Sequence, residues 1–294
     1  MKYSFSSPRV VCRPALPRDF DDVREFCKGI WDGHDYVPFV FRDWLADPHG
    51  ILAAAEYAGR CVGIAKVTLL SPGQWWLEGF RVDPKLQGLK IGSHIHEYVD
   101  EWWLSNGDGI ARLMTSAKRV KVHHLCEKLG YVKTAEVSGY HGPAIPDAPT
   151  DSFHPVKETD WKAALEFASK SQTLKLTGLV DMGWRQAVPD ETLLREMIAA
   201  QKAFWWRDRA GLLLTWDDRE DDEKTLGICL PACELNALPE FLLEIRHLAA
   251  QQTCTDAYWI APAGASVAAA LTSAGYATDW DAAGFIYEKK HPTA

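Results

Sequence analysis

The stretch Trp76-Leu77-Glu78-Gly79-Phe80-Arg81-Val82-Asp83-Pro84-Lys85-Leu86-Gln87-Gly88-Leu89-Lys90-Ile91-Gly92 holds the residues whose spacing most directly implies chemistry. It reads as an apolar strand, a tight Asp-Pro turn and a short glycine-containing loop that opens into a helix. A helix start carries unpaired backbone N–H groups and the positive end of the macrodipole, so it attracts anions. Glycines let the backbone itself close around a phosphate. The strand ahead of the loop carries one carboxylate, Glu78, which could take a proton from a nucleophile directly or through water. The two-residue strand period puts it on the face of Phe80 and Val82. A plain ion pair with Arg81 or Arg112 is the structural alternative.

The elements around this stretch follow from hydrophobic period and turn signals. A strand at Val10–Pro14 precedes a helix at Arg18–Gly29, then an aromatic loop and a second helix within Trp31–Ala46. Segments Ile51–Tyr57, Cys61–Leu70 and Trp75–Val82, separated by glycine turns, read as an antiparallel meander. Helix Lys90–Leu104 buries one face through Ile91, Ile95, Val99 and the Trp102/Trp103 pair. Strand Ile110–Ser116, helix Val120–Leu129 and a pair of strands around Tyr131–Tyr140 complete a first domain, residues 1–142. Three prolines between Gly142 and Thr150 place a linker at residues 143–152.

The remainder, residues 153–294, repeats much of this outline. Helices are predicted at Asp160–Lys170, Thr192–Phe204, Pro239–Ala250 and Ala265–Ala274. A hairpin of Gly211–Trp216 and Lys224–Leu230 turns through the acidic Asp217–Glu223, and strands follow at Ala257–Ile260 and Phe285–Lys289. Where the first domain has its glycine loop, the second has Pro231-Ala232-Cys233-Glu234-Leu235-Asn236-Ala237, with no glycine and an added carboxylate. One phosphate site is expected, not two.

Composition narrows the function classes. A net charge of −8 over 294 residues argues against nucleic acid as a partner. No apolar run reaches the ~18 residues of a membrane span, and the N-terminal residues do not read as a signal peptide. Seven scattered cysteines fit reduced thiols in a cytoplasmic protein. His94 and His96 lie about 200° apart around a helix and His123 and His124 about 100° apart, so neither pair grips one ion. Cys229 and Cys233 have no second pair to complete a zinc set. No metal is expected.

Two motifs carry a family resemblance. Val82-Asp83-Pro84 followed by Gln87-Gly88-Leu89-Lys90-Ile91-Gly92 resembles the pyrophosphate loop of the GCN5-related N-acetyltransferase (GNAT) superfamily. Leu125-Cys126-Glu127-Lys128-Leu129-Gly130-Tyr131 resembles its Leu-Tyr-Glu-Lys-Leu-Gly-Phe segment. Ile30–Pro38, Trp44–Pro48 and Leu77–Val82 look more narrowly like histidine N-acetyltransferase-like proteins. The resemblance implies a GNAT fold in an α/β (α+β) class: a mixed, mostly antiparallel central sheet flanked by helices, here duplicated as two tandem domains, the second degenerate.

It also implies acetyl-CoA as co-substrate, with Phe80, Arg81, Val82, Gln87, Gly88, Leu89, Lys90, Ile91, Gly92 and Ser93 binding it. The acceptor is then a primary amine of a small molecule, with an amino acid such as histidine as the named example. Asp32, His34, Asp35 and Tyr36 would contact it, and the protein would act as a monomer or homodimer. Lys90 stands where the family usually has glycine, which calls for ordinary helical dihedrals. Cys126 stands where the family often has the tyrosine that protonates the leaving thiolate. Glu78 as base and Cys126 or His123 as acid are the catalytic expectations, with Tyr131, Tyr36 or solvent as other acids. A tandem transferase resembling mycothiol synthase and a non-catalytic acyl-CoA sensor are the rival readings.

Overall fold

The computed structural model describes residues 9–86, 88–146, 151–220, 223–278 and 280–293. They divide into two compact units. One takes in the chain up to Leu113, Lys121–Val132 and the residues from Glu288 onward; the other takes in Met114–Val120 and Lys133–Tyr287. Among the described residues no helix is long and apolar enough to cross a membrane.

The first unit runs β1 (Val11–Pro14), α1 (Phe20–Cys27), α2 (Val37–Ala46), β2 (Ile51–Tyr57), β3 (Arg60–Ser71), β4 (Gln74–Val82), α3 (Ile91–Asn106), β5 (Ile110–Ser116, shared with the second unit) and α4 (Val120–Lys128). Strands β1 to β4 pair antiparallel in sequence order, and β4 pairs parallel with β5. Helices cover both faces, which is why β2 carries Ala53, Ala54 and Ala55, all without exposure. Small side chains let a helix approach the sheet closely on each side. On one side Val23, Phe26, Val37, Phe41 and Trp44 of α1 and α2 pack on Leu52, Ala54 and Ile64. On the other, Ile91, Ile95, Val99 and Trp103 of α3 are buried at three-to-four spacing.

The second unit runs β6 (Val132–Pro143), β7 (Phe153–Pro155), α5 (Trp161–Lys170), α6 (Gln172–Lys175), β8 (Val180–Asp181), β9 (Gln186–Ala187), α7 (Glu191–Ala199), β10 (Ala203–Trp206), β11 (Gly211–Glu220), β12 (Glu223–Ala232), α8 (Leu238–Gln251), β13 (Asp256–Pro262), α9 (Ala265–Ser273) and β14 (Gly284–Lys290, which passes into the first unit at Glu288). The duplication is visible in the connectivity. Antiparallel β3–β4, then α3, then parallel β5 in the first unit correspond to antiparallel β11–β12, then α8, then parallel β13 in the second.

Several elements differ from the sequence expectation. The loop and helix expected within Trp31–Ala46 are not among them: Trp31 and Asp32 have φ of 47° and 54°, and α2 begins after that loop, at Val37. The helix expected over Thr192–Phe204 stops at Ala199, Gln201 turns at φ 59°, and Ala203–Trp206 pairs with β11. Aromatic residues there fit a strand with both faces covered, so Trp205 and Trp206 enter separate cores. The pair of strands around Tyr131–Tyr140 is one strand, β6. It continues through Gly142 to Pro143 by antiparallel pairing with β13, so its contacts fall in the second unit rather than with residues 1–142. The proline-rich stretch accordingly opens as strand; residues 147–150 of it lie outside the described residues.

One irregularity shapes the first unit. Lys66 pairs with Glu78 and Ile64 with Arg81, so Gly79 and Phe80 together oppose Ala65. This is a β-bulge. Gly79 has φ 66°, and a Cβ there would lie 2.5 Å from ring carbons of Trp44. Both facts demand glycine. A Gly79→Ala variant is expected to lose about 2–4 kcal/mol, the sum of left-handed strain and overpacking. Urea unfolding of the full chain measures this, and a change within experimental error would show that α2 yields freely at this point.

Candidate active site

The bulge decides which side chains meet. Ile64 and Lys66 are two apart on β3 and share a face, so their partners Arg81 and Glu78 share that face too. Ile64 packs with α1 and α2. Phe80 turns to the opposite side, where its ring centroid lies 4.7 Å from that of His96 on α3. The expectation that Glu78 shares the face of Phe80 and Val82 is therefore corrected: the extra residue reverses the alternation.

The same strand leaves its neighbour. The β4–β5 ladder covers only Gln74–Trp76 against Ile110–Arg112, so Leu77–Val82 has no pairing with β5. Beyond Val82 the Asp83 side chain and carbonyl accept the Lys85 and Leu86 N–H groups at 2.9 and 3.0 Å. Gly88 follows at φ 85°, and Lys90 caps α3 at φ 55°, ψ 24°. Ordinary helical dihedrals were expected for Lys90; instead it takes the left-handed conformation of the glycine it replaces. The turn into α3 requires it, at a cost of about 1 kcal/mol for a residue with a Cβ. The Lys90 carbonyl accepts from Ser93 and His94, both at 3.0 Å. The N–H groups of Ile91 and Gly92, at the first two helical positions, have no acceptor inside the helix. Leu89 and Lys90 are exposed and Ser93 half-buried. Gln87 lies outside the described residues.

Thr68 Oγ1 donates to Glu78 Oε1 at 2.7 Å. Neither arginine considered for Glu78 forms its ion pair with it. Arg112 donates to Glu288 at 2.9 Å and Gln74 at 3.2 Å. Arg81 donates through Nε and Nη2 to Asp35 at 2.6 and 3.2 Å, and through Nη1 to the Phe80 carbonyl at 3.2 Å. Its guanidinium lies over the rings of Trp31 and Tyr36, at 4.2 and 5.4 Å. Asp35 is buried and also accepts the Val37 N–H at 3.1 Å, capping α2. Asp35 therefore fastens the loop before α2 to the bulged strand. Asp32, His34 and Tyr36 of the same loop are exposed. On the Glu78 face, buried Lys66 bonds the Asp47 carboxylate and the Val67 carbonyl.

The residues considered as acids are placed differently. Cys126 is fully buried in α4, and burial pushes its thiol up to about 12. His123 is half-buried one turn earlier. Tyr131 is buried and donates to Asp100 Oδ1 at 3.0 Å; burial and that carboxylate raise its pKa. Lys289 donates to both oxygens of Asp100, at 3.0 and 2.7 Å. Sequence reasoning missed His96, weighed only as a metal ligand. Its ring lies against Phe80 and 6.1 Å from Tyr131, and its buried Nε2 has no hydrogen-bond partner. Burial, with Lys289 nearby, lowers its pKa to about 4. A histidine on the buried arc of α3, beside Ile95 and Val99, was the available signal.

In the second unit the corresponding loop is closed by its own chain. The Cys233 N–H donates to Thr173 Oγ1 at 3.2 Å and the Leu235 N–H to Gln172 Oε1 at 3.0 Å. Thr173 in turn donates to the Pro231 carbonyl at 2.9 Å. Side chains of α6 thus occupy the amides that an anion would need.

In the first unit, then, a strand bulges, separates from its parallel neighbour and enters a helix through a left-handed loop. The pattern of the acetyltransferase (GNAT) family matches residues 18–131. "Probable N-acetyltransferase 16" of Homo sapiens is 25% identical over 228 residues, 69% of this chain and 61% of that one. Histidine N-acetyltransferase of Oreochromis niloticus is 31% identical over 88 residues, 30% of this chain and 26% of its own length. The chain thus spans under two thirds of these relatives. Among solved structures, a GCN5-related N-acetyltransferase from Sphaerobacter thermophilus superposes with TM-score 0.66 at 13% identity, covering 97% of this chain and 96% of that one. A tandem GNAT protein from the clavulanic acid biosynthesis pathway gives 0.58 at 9% identity, covering 97% and 100%. At these identities the likeness is one of fold.

The buried imidazole makes a pH prediction. The folded pKa of about 4 lies below the ~6.5 of an exposed histidine, so between these values the unfolded chain binds the extra proton and stability falls as pH falls. From pH 7 to pH 5 His96 is expected to withdraw about 2 kcal/mol. Urea unfolding at both pH values, in the full chain and in His96→Phe, measures this; equal losses in the two proteins would assign the acid sensitivity elsewhere.

Proposed function

We propose that this protein transfers the acetyl group of acetyl-CoA to a primary amine of a small molecule. The observation that carries the reading is the β4 geometry. The bulge at Gly79 and the end of pairing with β5 leave the backbone of Phe80–Val82 available to the pantetheine arm and the thioester. The loop through Gly88 and Lys90 turns the Ile91 and Gly92 amides toward a pyrophosphate. The Lys90 ammonium adds charge beside the same anion.

Acetyl transfer needs a neutral amine, a donor for the oxyanion and release of the thiolate. Backbone N–H groups of the bulged strand serve the oxyanion. Glu78, on the α1/α2 face with the exposed Asp32, His34 and Tyr36, takes the amine proton directly or through water. Asp35 holds Arg81 and positions the strand. The acceptor is a polar, cationic amine, and an amino-acid α-amine such as that of histidine fits the short matches to histidine N-acetyltransferases. Because Cys126 is sealed in α4, the leaving thiolate takes its proton from solvent. The second unit works without a co-substrate of its own.

Release of free thiol from acetyl-CoA across a panel of amino acids, polyamines and amino sugars tests the reading. Turnover with at least one amine is expected, with Glu78→Gln lowering kcat about 10²-fold or more and removing the basic limb of the pH–rate profile. Saturable acetyl-CoA binding without turnover on any amine would favour a sensor instead. The burial of the residue in the tyrosine's place is the feature that would fit it.

A further inference from the structure

Among the described residues the first unit buries two side-chain nitrogens without a hydrogen-bond partner, His96 Nε2 and Trp103 Nε1, and it is His96 that lies beside the bulge. His96 is 3% exposed, and its Nε2 has no hydrogen-bond partner. Buried donors and acceptors in folded proteins are almost always paired, and an orphan is unfavourable relative to an apolar residue of the same shape. Phenylalanine or leucine at this position would continue the apolar face of Ile91, Ile95 and Val99. The described residues supply the histidine no such partner.

Its place indicates which. The imidazole lies against Phe80, one of the two residues of the bulge, on the side of β4 covered by α3. It is at the stretch of β4 that no longer pairs with β5. Tyr131, on its other flank, is committed to Asp100, and Asp100 to Lys289. Neighbouring polar groups are thus paired among themselves, and the imidazole nitrogen is the one left over. Glu97 and Lys289 are the charged groups nearest it in effect, and the ring stays neutral at physiological pH.

We propose that His96 Nε2 hydrogen-bonds the acyl-pantetheine arm of the co-substrate where it passes β4, and so reads the thioester end of the molecule rather than its nucleotide. This rests on the acetyl-CoA reading above. A neutral imidazole offers one N–H or one lone pair, and the arm carries amide and thioester carbonyls as well as amide N–H groups, so either tautomer finds a complement. His96 binds and orients; it does not carry the leaving proton. The site pairs this one side chain with the backbone of the bulge, and its ligand class is acyl-pantetheine thioesters.

The test uses the full chain labelled with ¹⁵N-histidine. The His96 imidazole signal is assigned by its loss in His96→Phe, then followed on addition of acetyl-CoA and, separately, adenosine 3′,5′-bisphosphate, which lacks the arm. Acetyl-CoA is expected to shift the Nε2 resonance, and the bisphosphate to leave it in place. His96→Phe is expected to raise the dissociation constant for acetyl-CoA roughly tenfold, with a melting temperature at neutral pH equal to or above that of the natural chain. His96→Gln, which keeps a donor and an acceptor, should recover part of the loss. Saturating acetyl-CoA without movement of the Nε2 signal would overturn the proposal, as would His96→Phe binding it as tightly as the natural chain. If the natural chain binds no acetyl-CoA at all, the acetyltransferase reading itself fails.

Discussion

A single surplus residue in β4, opposite Ala65, governs the arrangement of the first unit. Without it, strand alternation would put Glu78, Phe80 and Val82 on one side and Arg81 on the other. With it, the carboxylate and the guanidinium face α1 and α2 while Phe80 meets His96 under α3. The bulge exists because Gly79 accepts a left-handed dihedral and because Trp44 fills the space a side chain would need. The Asp35–Arg81 pair then ties the loop before α2 to the strand just past the distortion. That pair is nearly withdrawn from solvent and joined to a helix cap, so moving either partner would unseat the other.

The two units show how small a change separates an open loop from a closed one. Their hairpin, helix and parallel strand follow the same order, and each parallel ladder ends after three residue pairs. In the first unit the loop carries the left-handed residues Gly88 and Lys90. In the second, Gln172 and Thr173 of a four-residue helix take the equivalent positions and satisfy the backbone from within. A backbone amide accommodates one good acceptor, so an internal one excludes an external one.

Much of this was legible in the sequence, and the reasons for the exceptions are physical. The β4 strand, its turn and the α3 periodicity are local patterns, and they appear where the sequence puts them. The loss of the loop in the second unit was readable from the absence of glycine, but its replacement by Thr173 was not. That contact joins residues 60 positions apart. The reversal of face at Gly79 was hidden because a bulge is fixed by the partner strand and by Trp44, neither of which is adjacent in the chain. Lys90 misled for a related reason: residue type favours helical dihedrals, and the tertiary turn overrides it. The strand running to Pro143 was masked by prolines that lie at its end. His96 had a visible signal, a polar residue on an apolar arc, but only its burial gave that signal meaning.

The first unit is not assembled from the first part of the chain alone. Glu288 neutralises the buried Arg112 at the start of β5, Lys289 binds Asp100 inside α3, and His291 reaches the Leu104 carbonyl near the end of that helix. These anchors lie 176 to 189 residues further along the chain than the groups they hold. Until they arrive, α3 and β5 hold a buried guanidinium and a buried carboxylate without their counter-charges, a state that costs several kcal/mol for each ion left bare. The first unit must therefore wait, partly assembled, until residues 288–291 have been made.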